Sequence, residues 1–328
     1  MKAIVQDVYG SADVLRLAEV DRPAPRDDEV LVRVHAAGVD AGVWHLMTGL
    51  PRLLRPAYGL RRPRHRTPGM DLAGRVEAVG RNVTRFRPGD EVFGIGRGTF
   101  AEYACAPERK LAPKPAGLTF EQAAAVPASA LTALQALRDR GQVRPGAKVL
   151  VIGAAGGVGT YAVQLARALG AEVTGVCSTG KTALVRSIGA DHVVDYTRED
   201  ITDGTRRYDL ILDIAGNRRL SRLRRALTPT GTLVLVGGDG GPWLGGTDRL
   251  LRAPLLSAVV RQRLRVLVSA ERHQDLLVLT GLIESGRVTP VVDRTYPLEE
   301  TPEAIRRLAD RRALGKVVVT VVSSRAST

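Results

Sequence analysis

Between Ala147 and Gly170 the chain reads AKVLVIGAAGGVGTYAVQLARALG, where four apolar residues, Val149 to Ile152, break into clustered glycines and then into a helical pattern. The turn has the spacing Ala154-x-Gly156-x-x-Gly159, a dinucleotide fingerprint with Ala at its first position and extra glycines at Gly153 and Gly157. Small residues there let the backbone approach a pyrophosphate, and a helix starting near Val158 points its free N–H groups and positive dipole end at that anion. The alternative is a sterically crowded turn that binds nothing. A second apolar strand, Glu172 to Val176, completes the context that such a turn needs.

The end of that second strand bears on the choice of nucleotide. An NAD site usually places an acidic residue there for the ribose hydroxyls. Here the chain continues Cys177-Ser178-Thr179-Gly180-Lys181. Hydroxyls and an ammonium give charge-assisted hydrogen bonds to a 2′-phosphate, which a carboxylate would repel, so Ser178 and Lys181 point to NADPH. The same residues also suit a helix N-cap followed by a solvated lysine.

These residues need a scaffold. From Lys148 onward, strands expected at Val149 to Ile152, Glu172 to Val176, His192 to Asp195, Leu210 to Asp213 and Thr232 to Val236 alternate with helical stretches, the pattern of a parallel, doubly wound α/β sheet. The apolar run Leu264 to Ser269 suits an edge strand that could pair two copies into a homodimer. Before this region, short strands (Lys2 to Val5, Val14 to Leu17, Val30 to Ala36, Ala73 to Val79, Asp90 to Phe93, Phe100 to Ala104) alternate with Pro and Gly turns, which predicts a small, mainly β domain. Trp44 to Arg66 has no clear period and reads as a long loop or lip. Thr119 is the expected N-cap of a helical pattern continuing through Leu137. A helix near Asp275 to Ser285, a strand near Val291 to Tyr296, a helix near Thr301 to Arg311 and a strand Lys316 to Val322 end the chain.

The 328 residues suffice for two domains with proper cores, and 44% hydrophobic with 25% charged residues is ordinary for a globular chain. No apolar run reaches membrane-spanning length and no secretory signal layout opens the chain, so a cytoplasmic protein without a membrane partner is expected. Two cysteines exclude a disulfide framework and a four-thiolate zinc site. The net charge of +14 comes from arginine, 42 of the 48 basic residues. These arginines are spread over the whole chain with only 4% aromatic residues, which argues against a nucleic-acid groove. The main local concentrations are Arg52 to Arg66 and Arg218 to Arg225.

The order AAGVDAGVWHLMTG, GMDLAGRVEAVG, RPGDEVFG, FAEYACAP, AAGGVG, RYDLILDIAGN and GKVVVTVV resembles the zinc-free quinone oxidoreductase branch of the medium-chain dehydrogenase/reductase superfamily. The resemblance spans essentially the whole chain. It implies a GroES-like catalytic domain built from both chain ends, residues 1–122 and 266–328, around a central Rossmann NADPH-binding domain, residues 123–265. Zinc alcohol dehydrogenases carry a Cys two residues before the polar position of the early loop and a His-Glu pair after the glycine matched by Gly69. Here those stretches read Gly38-Val39-Asp40 and Gly69-Met70-Asp71, which cannot supply the ligands of a catalytic zinc. Without a Lewis acid, the chemistry implied is hydride transfer to an electron-poor acceptor, a quinone or an α,β-unsaturated carbonyl.

The resemblance also implies site residues. Asp40 takes the polar position after the early Gly-Val, and His45 stands where a Tyr is common, placed to hydrogen-bond the acceptor carbonyl or to donate a proton. Tyr58, in the lip, is a looser candidate. Each of these also fits a wall residue, with solvent as the proton donor. On the cofactor side, Thr132 matches a threonine near the nicotinamide end, Gly156, Gly157 and Val158 the pyrophosphate turn, and Tyr196 a residue beside the 2′-phosphate. Ala215, Gly216, Asn217, Gly237 and Gly238 end the fourth and fifth strands, where such a sheet binds its ligand. Two other functions stay open: an NADPH-binding protein whose main task is RNA binding, and a tailoring reductase for one acidic metabolite held by Arg55, Arg61, Arg62, Arg64 and Arg66.

Overall fold

The structure, a computed structural model, describes residues 1–202, 205–216, 218–237 and 247–321. The chain forms two compact units, residues 1–129, 271–286 and 290–328, and residues 130–270 with 287–289.

The first unit opens with β1 (Lys2–Val5) and β2 (Arg16–Glu19), an antiparallel pair. It continues with β3 (Glu29–Val39), α1 (Ala41–Thr48), α2 (Arg55–Tyr58), β4 (Asp71–Val79), β5 (Glu91–Ile95), β6 (Tyr103–Pro107) and β7 (Leu111–Pro113). The stretch expected to be an irregular lip therefore begins as a helix. Asp40 caps α1, its Oδ1 accepting the Val43 N–H at 3.1 Å, and Gly49 ends α1 in the left-handed region at φ 63°. Both are ordinary helix-end residues, and the Pro and Arg content further on masks them.

The helical pattern expected from Thr119 to Leu137 divides into α3 (Phe120–Ala124) and α4 (Pro127–Gln135). Pro127 lacks the N–H that would continue α3 and starts a new helix instead. Thr119 is the cap of α3, and its hydroxyl and the Gln122 side chain bond each other's backbone N–H groups in a capping box. α3 packs on β3 and β4, and the first compact unit runs to Ser129, inside α4.

The second unit contains β8 (Lys148–Ile152), α5 (Gly157–Ala168), β9 (Glu172–Cys177), α6 (Thr182–Ser187), β10 (His192–Asp195), β11 (Tyr208–Asp213), α7 (Leu220–Arg225), β12 (Leu227–Leu235), α8 (Thr247–Val259) and β13 (Arg263–Val266). Its strands form one parallel sheet in the order β10-β9-β8-β11-β12-β13. The doubly wound α/β topology expected from the sequence is present. Helices cover both faces of such a sheet, so its central strands are apolar runs, not alternating ones. Val149, Leu150 and Val151 of β8 are all fully buried, each worth about 1.5–3 kcal/mol of transfer free energy.

The chain returns with α9 (His273–Glu284), β14 (Val292–Pro297), α10 (Thr301–Ala309) and β15 (Lys316–Thr320). These strands complete the sheet of the first unit, ordered β14-β15-β3-β4-β5-β7, with β6 pairing to β3. Val318 stands opposite Gly38, and Ala36 opposite Ala73, so β15, β3 and β4 lie side by side. Among the described residues, no helix is long and apolar enough to cross a membrane.

Candidate active site

In the second unit the glycine turn has the shape that its spacing predicts. Gly153 and Ala154 donate their N–H groups to the Val176 carbonyl at 3.1 and 3.0 Å, tying β8 to β9, and Gly156 caps α5 with extended backbone. A Cβ at Gly159 would lie 2.1 Å from the Gly153 carbonyl oxygen, so only glycine lets α5 start this close to the strand end. Gly157 and Val158 form the first turn of α5, whose leading N–H groups have no acceptor within the helix, an arrangement suited to an anion.

At the end of β9, Ser178 precedes a single 3₁₀ turn, Thr179–Lys181, and the Lys181 N–H closes it on the Ser178 carbonyl at 2.9 Å. The Tyr196 N–H donates to the Cys177 carbonyl at 3.1 Å, and the residue is 53% exposed. Backbone pairing thus brings Ser178 and Tyr196 together across the ends of β9 and β10. Burial raises the Cys177 thiol, Asp195 adds to that, and Lys181 and Arg186 oppose it.

Asp195 is a residue that sequence reasoning missed. Its carboxylate accepts the Thr179 hydroxyl at 2.5 Å and the Thr197 hydroxyl and N–H at 2.7 and 3.0 Å, and these bonds hold it below the usual carboxylate range. The end of β9, which carries hydroxyls and a lysine and no acidic residue of its own, therefore has a carboxylate as a neighbour, bonded to two threonines. The signal was present, since β10 ends in Asp195, but only the β9–β10 pairing brings it to Thr179.

Past β11, Ala215 donates its N–H to the Ile152 carbonyl at 3.3 Å and Gly216 to Asp213 Oδ1 at 3.1 Å, while Gly237 donates to the Asp213 carbonyl at 3.3 Å. These three expected residues gather at the ends of β8, β11 and β12. Asn217 and Gly238 lie outside the described residues. Thr132 is half-buried in α4.

In the first unit, the stretch that resembles a zinc loop has a different content. Asp71 is fully buried; its Oδ1 accepts the Ala128 N–H at 2.9 Å and its Oδ2 accepts from Lys316 Nζ at 3.1 Å. Burial pushes the Asp71 carboxyl up to about 7, opposed by the Lys316 ammonium and reinforced by the negative charge of Asp40. A Cβ at Gly38 would lie 2.5 Å from the Ala124 carbonyl oxygen and 2.8 Å from Asp71 Oδ2, so a cysteine thiolate does not fit there. Among the described residues, no three His, Cys, Asp or Glu side chains are grouped to hold a metal ion. The residues present do not fit a catalytic zinc.

Asp40 divides its carboxylate: Oδ1 caps α1, while Oδ2 is buried without a hydrogen-bond partner among the described residues. His45 Nδ1 lies 2.9 Å from the Leu50 carbonyl oxygen. A carbonyl only accepts, so Nδ1 carries the proton of the neutral ring, and Nε2 becomes a donor only in the imidazolium form. Tyr58 lines a cavity of about 300 Å³ within this unit, together with Gln6, Met47, His65 and Met70. Burial raises the Tyr58 phenol, so it stays a protonated donor at neutral pH. Asp40 and His45 do not line this cavity. Gln6 and His65 were missed by sequence reasoning: Gln6 Oε1 is a buried acceptor without a partner among the described residues, and partial burial together with Arg97 and Arg64 holds His65 below the usual imidazole value. Two arginines of the lip have structural work. Arg55 donates to the Gly49 carbonyl and stacks over Tyr9, and Arg66 pairs with Asp7 at 2.7 Å.

A family model described as "Alcohol dehydrogenase GroES-like domain" matches residues 26–116, and one described as "Zinc-binding dehydrogenase" matches residues 188–319. Human quinone oxidoreductase is 32% identical over 97% of this chain and 97% of its own length. The chain belongs to the quinone oxidoreductases of the medium-chain dehydrogenase/reductase superfamily. Among solved structures, the quinone oxidoreductase from Coxiella burnetii is similar with a TM-score of 0.86 at 28% identity, covering 98% of this chain and 99% of that one. The Escherichia coli quinone oxidoreductase complexed with NADPH is similar with a TM-score of 0.83 at 26% identity, covering 98% and 100%. Membership makes the protein an NAD(P)H-dependent oxidoreductase with a small-molecule substrate, and its first unit the GroES-like domain of that family. The zinc in one family description has no counterpart in the residues around Gly38 and Asp71.

Proposed function

We propose that the protein uses NADPH, without zinc, to reduce a quinone or an α,β-unsaturated carbonyl. The observation that carries this reading is the buried Asp71–Lys316 pair beside Gly38, which occupies the metal loop of zinc-dependent relatives with a closed ion pair. With no Lewis acid to polarise an alcohol or a simple carbonyl, turnover calls for an acceptor that is already electron-poor.

Bound NADPH supplies the hydride. The protein's part is to hold the nucleotide and the acceptor. Gly156, Gly157 and Val158 receive the pyrophosphate on the N-terminus of α5, and Ser178, Lys181 and Tyr196 receive the 2′-phosphate. The charge of Asp195 is partly compensated by the Thr179 and Thr197 hydroxyls and by Arg198, 3.7 Å from its Oδ2. In the first unit, the Tyr58 phenol lines the cavity and is the donor available there to the acceptor oxygen, while His45 lies outside that lining on the helix that Asp40 anchors.

The test is a screen of NADPH oxidation against para-quinones, enals and cyclic enones, with simple ketones and alcohols as controls. Turnover with quinones or enones alone is expected. Oxidation of plain alcohols with NADP⁺ would overturn the reading.

A further inference from the structure

The cavity of about 300 Å³ in the first unit has walls of two kinds. Met47, Met70 and Ile95 give it an apolar part, in which Met47 and Ile95 are buried. Arg64, His65, Arg97, Lys110 and Glu271 line it as well, so its walls carry three cations against one carboxylate. Its size is at the small end of ligand sites and suits one ring with a short side chain.

Ion pairing decides which of these charges are already committed. Lys110 pairs with Glu271, and Arg97 Nη2 pairs with Glu29, whose side chain is only 5% exposed. The Arg64 guanidinium has no carboxylate and no hydrogen-bond acceptor among the described residues, and the residue is exposed, so a ligand can reach it. Its backbone N–H donates to the Tyr58 carbonyl at 2.8 Å, which ties Arg64 to the residue that bears the phenol. Of Arg55, Arg61, Arg62, Arg64 and Arg66, only Arg64 lines the cavity.

His65 senses the resulting field. Besides burial, the charges that hold its imidazole below the usual value are those of Arg97 and Arg64, and no carboxylate opposes them there. Arg97 therefore acts on His65 as a cation although Glu29 takes one of its nitrogens. A partly enclosed site whose own imidazole senses only positive charge favours an anion, and a guanidinium with uncommitted donors binds a carboxylate through two parallel hydrogen bonds.

We propose that the acceptor reduced at this cavity is anionic, a quinone or enone whose short side chain ends in a carboxylate, with the carboxylate on Arg64 beside Arg97, the ring on Met47, Met70 and Ile95, and the carbonyl oxygen at the Tyr58 phenol. The assignment of an acceptor rests on the reductase reading, whereas binding of the anion does not need it.

Two measurements on the full-length protein test this. In the first, kcat/KM at saturating NADPH is compared for a para-benzoquinone carrying a propanoate side chain and for its methyl ester, which share one ring and differ in charge. The carboxylate is expected to be preferred at least about tenfold, Arg64→Ala to bring the ratio to about one, and Arg64→Lys to retain a preference. Loss of folded protein lowers both forms alike, so the ratio reports charge recognition and not stability. In the second, the Cε1–H resonance of His65, assigned with His65→Gln, is followed against pH without nucleotide. Saturating 3-phenylpropanoate, which offers no quinone or enone, should move the His65 titration to higher pH, 3-phenylpropanamide should not, and Arg64→Ala should abolish the ligand-induced shift. Equal kcat/KM for the two forms, a ratio that survives Arg64→Ala, or a His65 titration indifferent to the carboxylate would overturn the proposal. Turnover of neither form would sink the reductase reading, and the His65 measurement would then decide the anion site by itself.

Discussion

Lys316 and Asp71, 245 positions apart in the chain, form an ion pair 3.1 Å long in which both side chains are buried from solvent. Removing one partner of such a pair leaves an uncompensated charge in the core, which typically costs about 3–5 kcal/mol. Lys316→Met is expected to lose about that much stability in chemical denaturation above pH 7, where Asp71 is ionised.

The same carboxyl sets a pH dependence. Its folded value, raised to about 7 by burial, lies above the unfolded value of 3.8. Between those values the folded state holds a proton that the unfolded state has released, so this group's contribution is complete below about pH 4 and is lost as pH rises through 7. Denaturation curves measured from pH 4 to 8 should show that fall in the wild type, and the component should vanish in Asp71→Asn.

Lys181 is expected to select the cofactor. Lys181→Glu replaces a cation with an anion at the strand end that receives the 2′-phosphate. A charge-assisted hydrogen bond is worth about 1.5–3 kcal/mol, so NADPH affinity should fall by roughly ten- to a hundredfold while NADH affinity changes little. Fluorescence titration with both nucleotides decides it. Equal wild-type affinity for the two, or equal loss of both in the variant, would mean that Lys181 is an ordinary helix-start lysine.

His45 acts as a donor only when its ring is doubly protonated, because Nδ1 is already committed to the Leu50 carbonyl. If it serves the acceptor oxygen, His45→Phe should lower kcat/KM by about a hundredfold, the lower range of general acid catalysis. Stopped-flow measurement with one enone, at saturating NADPH, checks this. An unchanged kcat/KM would make His45 a wall residue.

Chelation should leave turnover unchanged, since Gly38 has no room for a thiolate and Asp71 is paired to Lys316. Elemental analysis showing one zinc per chain, together with activity lost in EDTA and restored by zinc, would contradict this.

β13 forms one edge of the six-stranded sheet, and Val268 just beyond it is 78% exposed. Pairing of two such edges would give a dimer of twice the 35.1 kDa chain mass. Light scattering should report that mass for the wild type and the single-chain mass for Val268→Glu.

The sequence by itself determined what depends on a few adjacent residues. The glycine turn is legible because strand, crowded turn and helix follow from spacing within about twenty positions, and Thr119 is legible because its capping box closes within three. The parallel sheet was legible from unbroken apolar runs, and the absence of zinc ligands from Gly38 and Met70. The helix α1 was within reach too, through Asp40 and Gly49, but its neighbours of Pro and Arg hid the period. Tertiary structure alone decided the partners. Nothing near Asp71 in sequence names Lys316, and only the side-by-side order of β15, β3 and β4 brings them together. Asp195 reached Thr179 through strand pairing, Gln6 and His65 met in one cavity through folding of the lip, and the Leu50 carbonyl chose the tautomer of His45. Local propensity acts through bonded geometry over a turn or two, whereas the charge and proton state of a side chain depend on whatever the whole fold buries beside it.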